Sequence, residues 1–540
     1  MASSLPAHGG QPLDRSWKYL PQYASSSRFL VIGAGARGNA YARAVTESTK
    51  GRIVAVAEPI AHKRQAFGQR YIWGTADPND GQAFEDWRAF VRYERTRRSC
   101  EGRLDIQVLA GVDGVFVCVL DEDHAEVVIG LREFDLHIMC EKPLATTLDD
   151  CLKIYRSLKP SNSECLRTVF SIGHVLRYSP HNMLLRKLLL EDDVIGDILS
   201  IEHTEPVGWW HFSHSYVRGN WRKESTTAPS LLTKSCHDID FLLWVLCSPP
   251  PSSRNPPHLP SHVTSTGSLT YFKPSRKPAL AGKATSCLSC EAEPGCIYSA
   301  KKIYQDTHLS KGNAGWPVHI VDPEIEDCLN QKGQAAAEAR LRDRLAEDYS
   351  ISTPQDEIDR RPWFGRCVYE SDNDVCDDQV VTMTWEDDPL SPFLTGVSDM
   401  ISRLKGRGAK TATFHMIAFT EAQCERRGRV YGSKGEISYD SKEIRVYDFA
   451  TKKAQIHHPH QSGGGHGGGD DGLARQFVRA VDAIKNDGMN VEEAQKTYVG
   501  CTLEEIIRSH AMVFAAEEAR RERKAVDWKK WCEKNHVACL

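Results

Sequence analysis

Over residues 28–173 the chain alternates short unbroken apolar runs with stretches of helical period. The runs at 29–32, 52–57 (RIVAVA), 115–120 (VFVCVL), 136–140 and 168–173 (TVFSIG) each predict a strand covered on both faces, the habit of parallel sheets. Between them, HKRQAFGQRY, DEDHAEVVIGLREF and 148–158 predict helices, the last preceded by Thr146 and Thr147, each with Asp three residues on, a capping pattern. The stretch 73–103 is polar, aromatic and charged, longer than a minimal crossover needs. The alternation predicts a doubly wound α/β domain of Rossmann type over 28–173.

Beyond 174 the texture changes to longer strands and isolated helices. Strands are predicted at 199–206, 263–272, 379–385, 411–420, 428–439 and 444–449, with RGRVYG and GEISYD joined through Ser433 and Lys434 as a hairpin. A C-terminal α+β domain with a large, mainly antiparallel open sheet follows, spanning 174–540. Two insertions interrupt it, a Pro- and Ser-rich loop at 248–261 and a charged, solvent-facing segment at 322–361 with a helix over 334–348. Near the end, HHPHQSGGGHGGGDDG reads as a mobile loop carrying His457, His458, His460 and His466. Asp470 or Asp471 then caps a helix bearing Leu473, Phe477, Val481 and Ile484, and Thr502 and Glu505 frame a last helix to 523. Residues 1–27 read as a flexible leader, and no internal repeat is present.

Composition narrows the class. A chain of 540 residues, 41% hydrophobic and 26% charged, is an ordinary globular protein of two or three domains. A net charge of −4 gives no reason to expect nucleic acid or an anionic membrane as partner, and no apolar run reaches membrane-span length. The 17 cysteines with no export signal point to reduced thiols and a cytoplasmic protein.

The chemistry begins at RFLVIGAGARG. Gly33, Gly35 and Gly38 supply GxGxxG between a strand and a helix: the first glycine for a tight turn, the second for close approach of a pyrophosphate, the third for helix packing. The helix would aim its free N–H groups at phosphate. Glu58, ending the next strand, would accept from the ribose 2′-OH and repel a 2′-phosphate, which favours NAD, with NADP possible. Lys142 ends a strand of the same sheet, at the edge where ligands gather, and can hold or pass a hydroxyl proton; a strand-end lysine can equally be merely exposed. The strip VGWWHFSHSYVRGNWR offers Trp209, His211, Tyr216, Asn220, Trp221 and Arg222 as a sugar-binding wall or as a subunit contact. Cys287, Cys290 and Cys296 have the spacing of a metal knuckle that Cys367 or Cys376 could complete with zinc, against a reduced, unliganded group.

Glu141-Lys142-Pro143, taken with GAGARG and Glu58, resembles the glucose-fructose oxidoreductase and inositol dehydrogenase family, Gfo/Idh/MocA. The likeness continues through RYSPHNMLLRKLLLEDDVIGDI, SLLTKSCHDIDFLLWVL and RVYGSKGEISYD. It implies cofactor contacts from Gly33, Gly35, Ala36, Arg37, Gly38, Glu58, Glu141 and Lys142, with Lys142 also contacting substrate. It places the family's acid/base histidine at His237, while the usual aspartate four residues earlier is Thr233, beside Lys234. The implied activity is NAD(P)-dependent hydride transfer to or from the CH–OH group of a sugar, cyclitol or related polyhydroxy compound, by a homodimer or higher homo-oligomer. Two other outcomes stay open: a glycosidase or epimerase that oxidises its substrate transiently, and a non-catalytic sugar- or dinucleotide-responsive regulator.

Overall fold

A computed structural model describes residues 26–101, 109–159, 166–250, 253, 255–392, 399–461 and 465–537. All but the last two residues of the expected leader lie outside this set. Six parallel strands form the first sheet: β1 (Arg28–Ile32), β2 (Arg52–Ala57), β3 (Ala83–Phe84), β4 (Gly114–Val117), β5 (His137–Cys140) and β6 (Phe170–Ile172), in the order β3-β2-β1-β4-β5-β6. The sheet reverses direction of build between β1 and β4, so its switch point lies beside the glycine turn after β1. The stretch at 73–103 contains β3 and a helix at Trp87–Ser99, which the sequence pattern alone did not resolve.

The second sheet has nine strands: β7 (Ile198–Pro206), β8 (His262–Ser268), β9 (Asp378–Trp385), β10 (Lys410–Ile417), β11 (Arg427–Gly432), β12 (Gly435–Tyr439), β13 (Ile444–Asp448), β14 (Lys453–His457) and β15 (Val526–Asp527). Its order is β14-β13-β12-β11-β7-β10-β9-β8-β15, antiparallel except where β7 lies parallel to β10. β11 and β12 form the hairpin expected at Ser433 and Lys434. Strict alternation of buried and half-buried residues along β9 and β10 shows one face packed and the other open.

Four helices tie the sheets together: α1 (Ala36–Ser48), α2 (Cys236–Leu246), α3 (Gly469–Asp487) and α4 (Leu503–Glu522). α2 is buried along its whole length. α3 returns from the far end of the chain to the first sheet, where Phe477 packs against Phe29 and Phe116 at ring distances of 5.8 and 5.3 Å. Asp470 and Asp471 do not cap it. They pair with Arg37 and Arg43 of α1. α4 starts with the full Thr502–Glu505 capping box.

The excursion between β8 and β9 extends well beyond 322–361 and has a core of its own. The helix at Gln334–Ala346 buries Ala337, Leu341 and Leu345 against Ile303, Tyr304, Leu309 and Phe364. The segment expected to face solvent is therefore half of a packed subdomain.

His174 and His510 face each other at 5.4 Å near buried Asp240, and the ring of His510 is used on both sides, accepting from the Leu144 N–H and donating to the Ile506 carbonyl. Burial pushes His174 down to about 3 and His510 to about 4, from 6.5. The folded state excludes protons that the unfolded chain takes up, so stability should fall as pH drops from about 6.5 towards 4, by about 1 kcal/mol per histidine over the first unit. Urea unfolding across that range should show this slope. His510→Gln should flatten it, and an unchanged slope would assign it to other groups.

Candidate active site

The glycine turn is built as a ligand cradle. Gly33 has φ +95°, and a Cβ there would lie 2.3 Å from the Cys118 carbonyl oxygen; a Cβ on Gly38 would lie 2.1 Å from the Gly33 oxygen. Gly35 differs, because a Cβ on it would meet nothing within 4 Å. Two glycines are thus required by the protein's own backbone, whereas the third leaves open space above the N-terminus of α1. That helix has no side-chain cap, so its first N–H groups are free for an anion. Glu58 is buried at the end of β2 and accepts from the backbone N–H groups of Ala34 (2.8 Å) and Ile60 (3.0 Å), which fixes its carboxylate beside the turn. These features fit a dinucleotide.

Arg37 and Glu141 are engaged with each other. Arg37 Nε donates to Glu141 at 2.7 Å and its outer nitrogens to Asp470 at 2.8 and 3.1 Å. Burial opposes ionisation of Glu141, but Arg37, Tyr41 and Lys142 outweigh it and hold the carboxyl below its usual range. Their side chains brace the turn; the contact with cofactor that the motif suggested for them would have to come from their backbone or from the exposed part of Arg37.

Lys142 follows β5, at the carboxyl edge of the sheet. Its Nζ donates to the Thr233 carbonyl at 2.7 Å, across the boundary between the two sheets' layers. Sequence reasoning did not single out Asp121, which stands in the same edge after β4 and accepts from Trp221 Nε1 at 2.8 Å. Burial pushes the Asp121 carboxyl up, against the pull of His124 and Lys142.

His237 opens α2. Its Nε2 accepts from Arg426 at 2.6 Å, and a guanidinium can only donate, so the ring proton sits on Nδ1, which is buried with no partner in the described structure. Burial, reinforced by Arg426 and Lys142, keeps the ring well below its ordinary range and neutral, although Asp238 pulls the other way. The ring of His466, in the glycine-rich loop, lies 6.2 Å away.

Lys234 lies in a break between two helical segments. Its Nζ is 2.9 Å from Cys424 Sγ and 3.1 Å from Glu205, and Arg426 pairs with Glu205 at 2.6 Å and Asp238 at 2.9 Å. His211 Nδ1 lies 3.5 Å from the same sulfur. Cys424, Arg426 and Glu205 were not found from sequence; Glu205 lies near the end of β7 and Cys424 and Arg426 just before β11, so no local window joins them.

The aromatic strip divides. Tyr216 stacks on Trp221 at 5.6 Å, beside Asp121, whereas Trp209 packs on Tyr298 at 5.8 Å. Asn220 is exposed. Arg222 is not available to a substrate: it is buried, with its guanidinium bonded to Asp372 and the Ile358 carbonyl. Cys376 lies apart from Cys287, Cys290, Cys296 and Cys367, which wall one small cavity. Every described cysteine is a free thiol. A cavity of about 430 Å³, bordered by Trp244, Pro249, Pro257, Gln495 and Arg508, shares no lining residue with this chemistry.

Residues 27–166 match the GFO_IDH_MocA description, "Oxidoreductase family, NAD-binding Rossmann fold". The N-terminal domain belongs to that family. The chain is 24% identical over 242 residues to a 2,7-anhydro-N-acetylneuraminate hydratase of Mediterraneibacter gnavus, covering 44% of this chain and 52% of the relative. It is 27% identical over 176 residues to an inositol 2-dehydrogenase of Rhizobium meliloti, covering 32% and 42%. The matched stretch thus spans about half or less of these curated relatives. The fold is shared with a levoglucosan dehydrogenase in complex with NADH (TM-score 0.55, 14% identity, 93% of this chain and 99% of that one). An inositol dehydrogenase homologue from Azotobacter vinelandii with NAD+ aligns equally (TM-score 0.55, 13%, 93% and 98%). Among the described residues no helix is long and apolar enough to cross a membrane.

The open space at Gly35 yields a sharp expectation. Gly35→Val should fold with nearly the wild-type melting temperature yet bind NAD at least about tenfold more weakly, whereas Gly38→Ala should destabilise the chain outright. Dinucleotide titration beside thermal melts separates the two. Unchanged NAD affinity in Gly35→Val would mean that the pyrophosphate sits elsewhere.

Proposed function

We propose that the protein is an NAD-dependent oxidoreductase acting on a CH–OH group of a sugar, cyclitol or related polyhydroxy compound. The observation that carries this reading is Lys142: its amine stands at the carboxyl edge of the nucleotide-binding sheet and is held there by a carbonyl from the substrate-side domain. Glu58 favours NAD, since a 2′-phosphate would meet a buried carboxylate.

Bound nicotinamide would supply the hydride acceptor. The chain's own residues divide the remaining work. Lys142 meets the substrate oxygen and carries its proton as the carbon is oxidised, the Thr233 carbonyl using one of the amine's hydrogens and leaving other positions for the substrate. His237, with Nε2 occupied by Arg426, fills the acid/base position that the family resemblance implies as a neutral donor from Nδ1. Trp221 presents a ring face to a sugar, backed by buried Tyr216, which stacks between Trp221 and Phe212, and Asp121 orients Trp221 through its indole N–H. By the same resemblance, a homodimer through the open face of the nine-stranded sheet is expected in sedimentation.

A second reading keeps these residues but returns the hydride, so that the net reaction is addition or loss of water or a glycosidic group. The hydratase among the relatives supports it, as does the missing carboxylate at Thr233. Progress curves discriminate: a dehydrogenase accumulates NADH with product, a cycling enzyme forms product without net NADH.

Lys142→Met should lower kcat on an active polyol by about 10²-fold or more while NAD titrates as in wild type. A variant of unchanged kcat would remove Lys142 from the chemistry. Product formed without NADH, and still dependent on Lys142, would replace the first reading by the second.

A further inference from the structure

Away from the cleft, four cysteines line one small cavity. Ser286 and Arg366 form an antiparallel bridge, with Cys287 N–H donating to Gly365 (2.9 Å) and Cys367 N–H to Thr285 (2.7 Å), so Cys287 and Cys367 are brought together across it. A turn at Cys287–Ser289 leads to Cys290, and a second at Glu293–Gly295 returns the chain to Cys296. All four border a cavity of about 20 Å³, room for one small ion or water.

The same cavity is bordered by a cation that pairs with no carboxylate among the described residues. Arg218 is 1% exposed. Its Nε and one Nη donate to the carbonyls of Arg366 (2.6 Å) and Tyr298 (2.7 Å), and that Nη also faces Cys287 Sγ at 3.5 Å. The other Nη has no hydrogen-bond partner among the described residues. Glu293, the carboxylate on the wall, does not neutralise it, because it accepts from Ser299 and faces Lys301 at 3.8 Å. A buried guanidinium is costly unless negative charge stands beside it. Four neutral thiols supply none.

We infer that Cys287, Cys290, Cys296 and Cys367 bind a structural zinc ion, with Arg218 as counter-ion to the metal–thiolate centre. Binding converts four thiols to thiolates, releasing four protons to solvent and moving no electrons; the centre carries a net charge of −2, next to the guanidinium. Among the described residues no three ligands yet close around a point. The half-exposed Cys290 and Cys296 would draw in against buried Cys287 and Cys367. The consequence reaches the cleft, since Tyr298 lies between this centre and Trp209 of the aromatic strip.

The test is metal analysis of the full chain, expressed without an affinity tag in zinc-supplemented medium and dialysed. About one zinc per chain is expected, lost in Cys290→Ser and in Cys367→Ser, and retained when His457, His458 and His460 are all changed to Ala. Should the serine variants fail to fold, Co2+ added to chelator-stripped wild type decides the matter through a thiolate-to-cobalt charge-transfer band. A folded wild type with no zinc and no such band overturns the inference, as does zinc that survives Cys290→Ser, and iron in place of zinc overturns the choice of metal.

Discussion

The guanidinium of Arg37 joins three stretches that the chain keeps far apart. It sits in the first turn of α1, bonds Glu141 at the end of β5 and Tyr41 one turn on, and reaches Asp470 at the start of α3, 433 residues away in sequence. Glu141 and Asp470 are buried, so each carboxylate has given up water and depends on this cation. Removing one partner from such a group costs roughly 3–5 kcal/mol, because the charge left behind stays buried. The same contact aligns the turn that would receive pyrophosphate with the backbone that presents Lys142. Packing reinforces it: Phe477 of α3 completes an aromatic cluster with Phe29 and Phe116 below the ion pairs. The last quarter of the chain is therefore part of the nucleotide-binding domain's foundation.

How much was legible in sequence follows from how local each signal is. β1, β2, β4 and β5 are continuous apolar runs, and the hairpin turn at Ser433 and Lys434 is flanked by strand pattern on both sides, so each declares itself within a few residues. β14 does not, because it is exposed on both faces and has no alternation to read. β3 is two residues long in a polar stretch. The helix at Gln334–Ala346 reads as a surface helix since its apolar residues are few and its partners, Tyr304 and Phe364, lie outside any local window. Asp470 has the look of a helix cap, and only the fold shows that its partner is an arginine from the other end of the chain. In the site, the glycines, Glu58, Lys142 and His237 sit in motifs, whereas Asp121, Glu205, Cys424 and Arg426 gain meaning only by convergence.

That convergence explains what replaces the family's aspartate. At Thr233 the side chain turns back to the Pro229 carbonyl, and it is the main-chain oxygen that meets Lys142. A carbonyl orients the amine as a carboxylate would, but brings no negative charge to it. The acids that do lie near, Glu205 and Asp238, are matched by Lys234 and Arg426, two carboxylates against two cations in a buried network. His203 extends it, bonding Asp238 at 3.1 Å and Tyr439 at 2.8 Å, and so fastens the network to β7 and β12 of the large sheet.

Within this arrangement charge is sorted by depth. Below, the network is balanced, and neutral His237 adds none. At the sheet edge, Lys142 makes no ion pair among the described residues, and the nearby Asp121 carboxyl is pushed up by burial and bonded to Trp221. In the reducing direction hydride transfer asks for this division, because negative charge developing on the carbonyl oxygen is stabilised best by an ammonium not already claimed by a fixed anion, which then gives up the proton that the neutral amine takes in oxidation. Had the position of Thr233 carried a carboxylate at the same distance, part of the field of Lys142 would be spent on it before substrate arrived. The substitution therefore shifts the amine from a paired group towards an electrophilic one, and that change sets this site apart chemically from the pattern its motifs resemble.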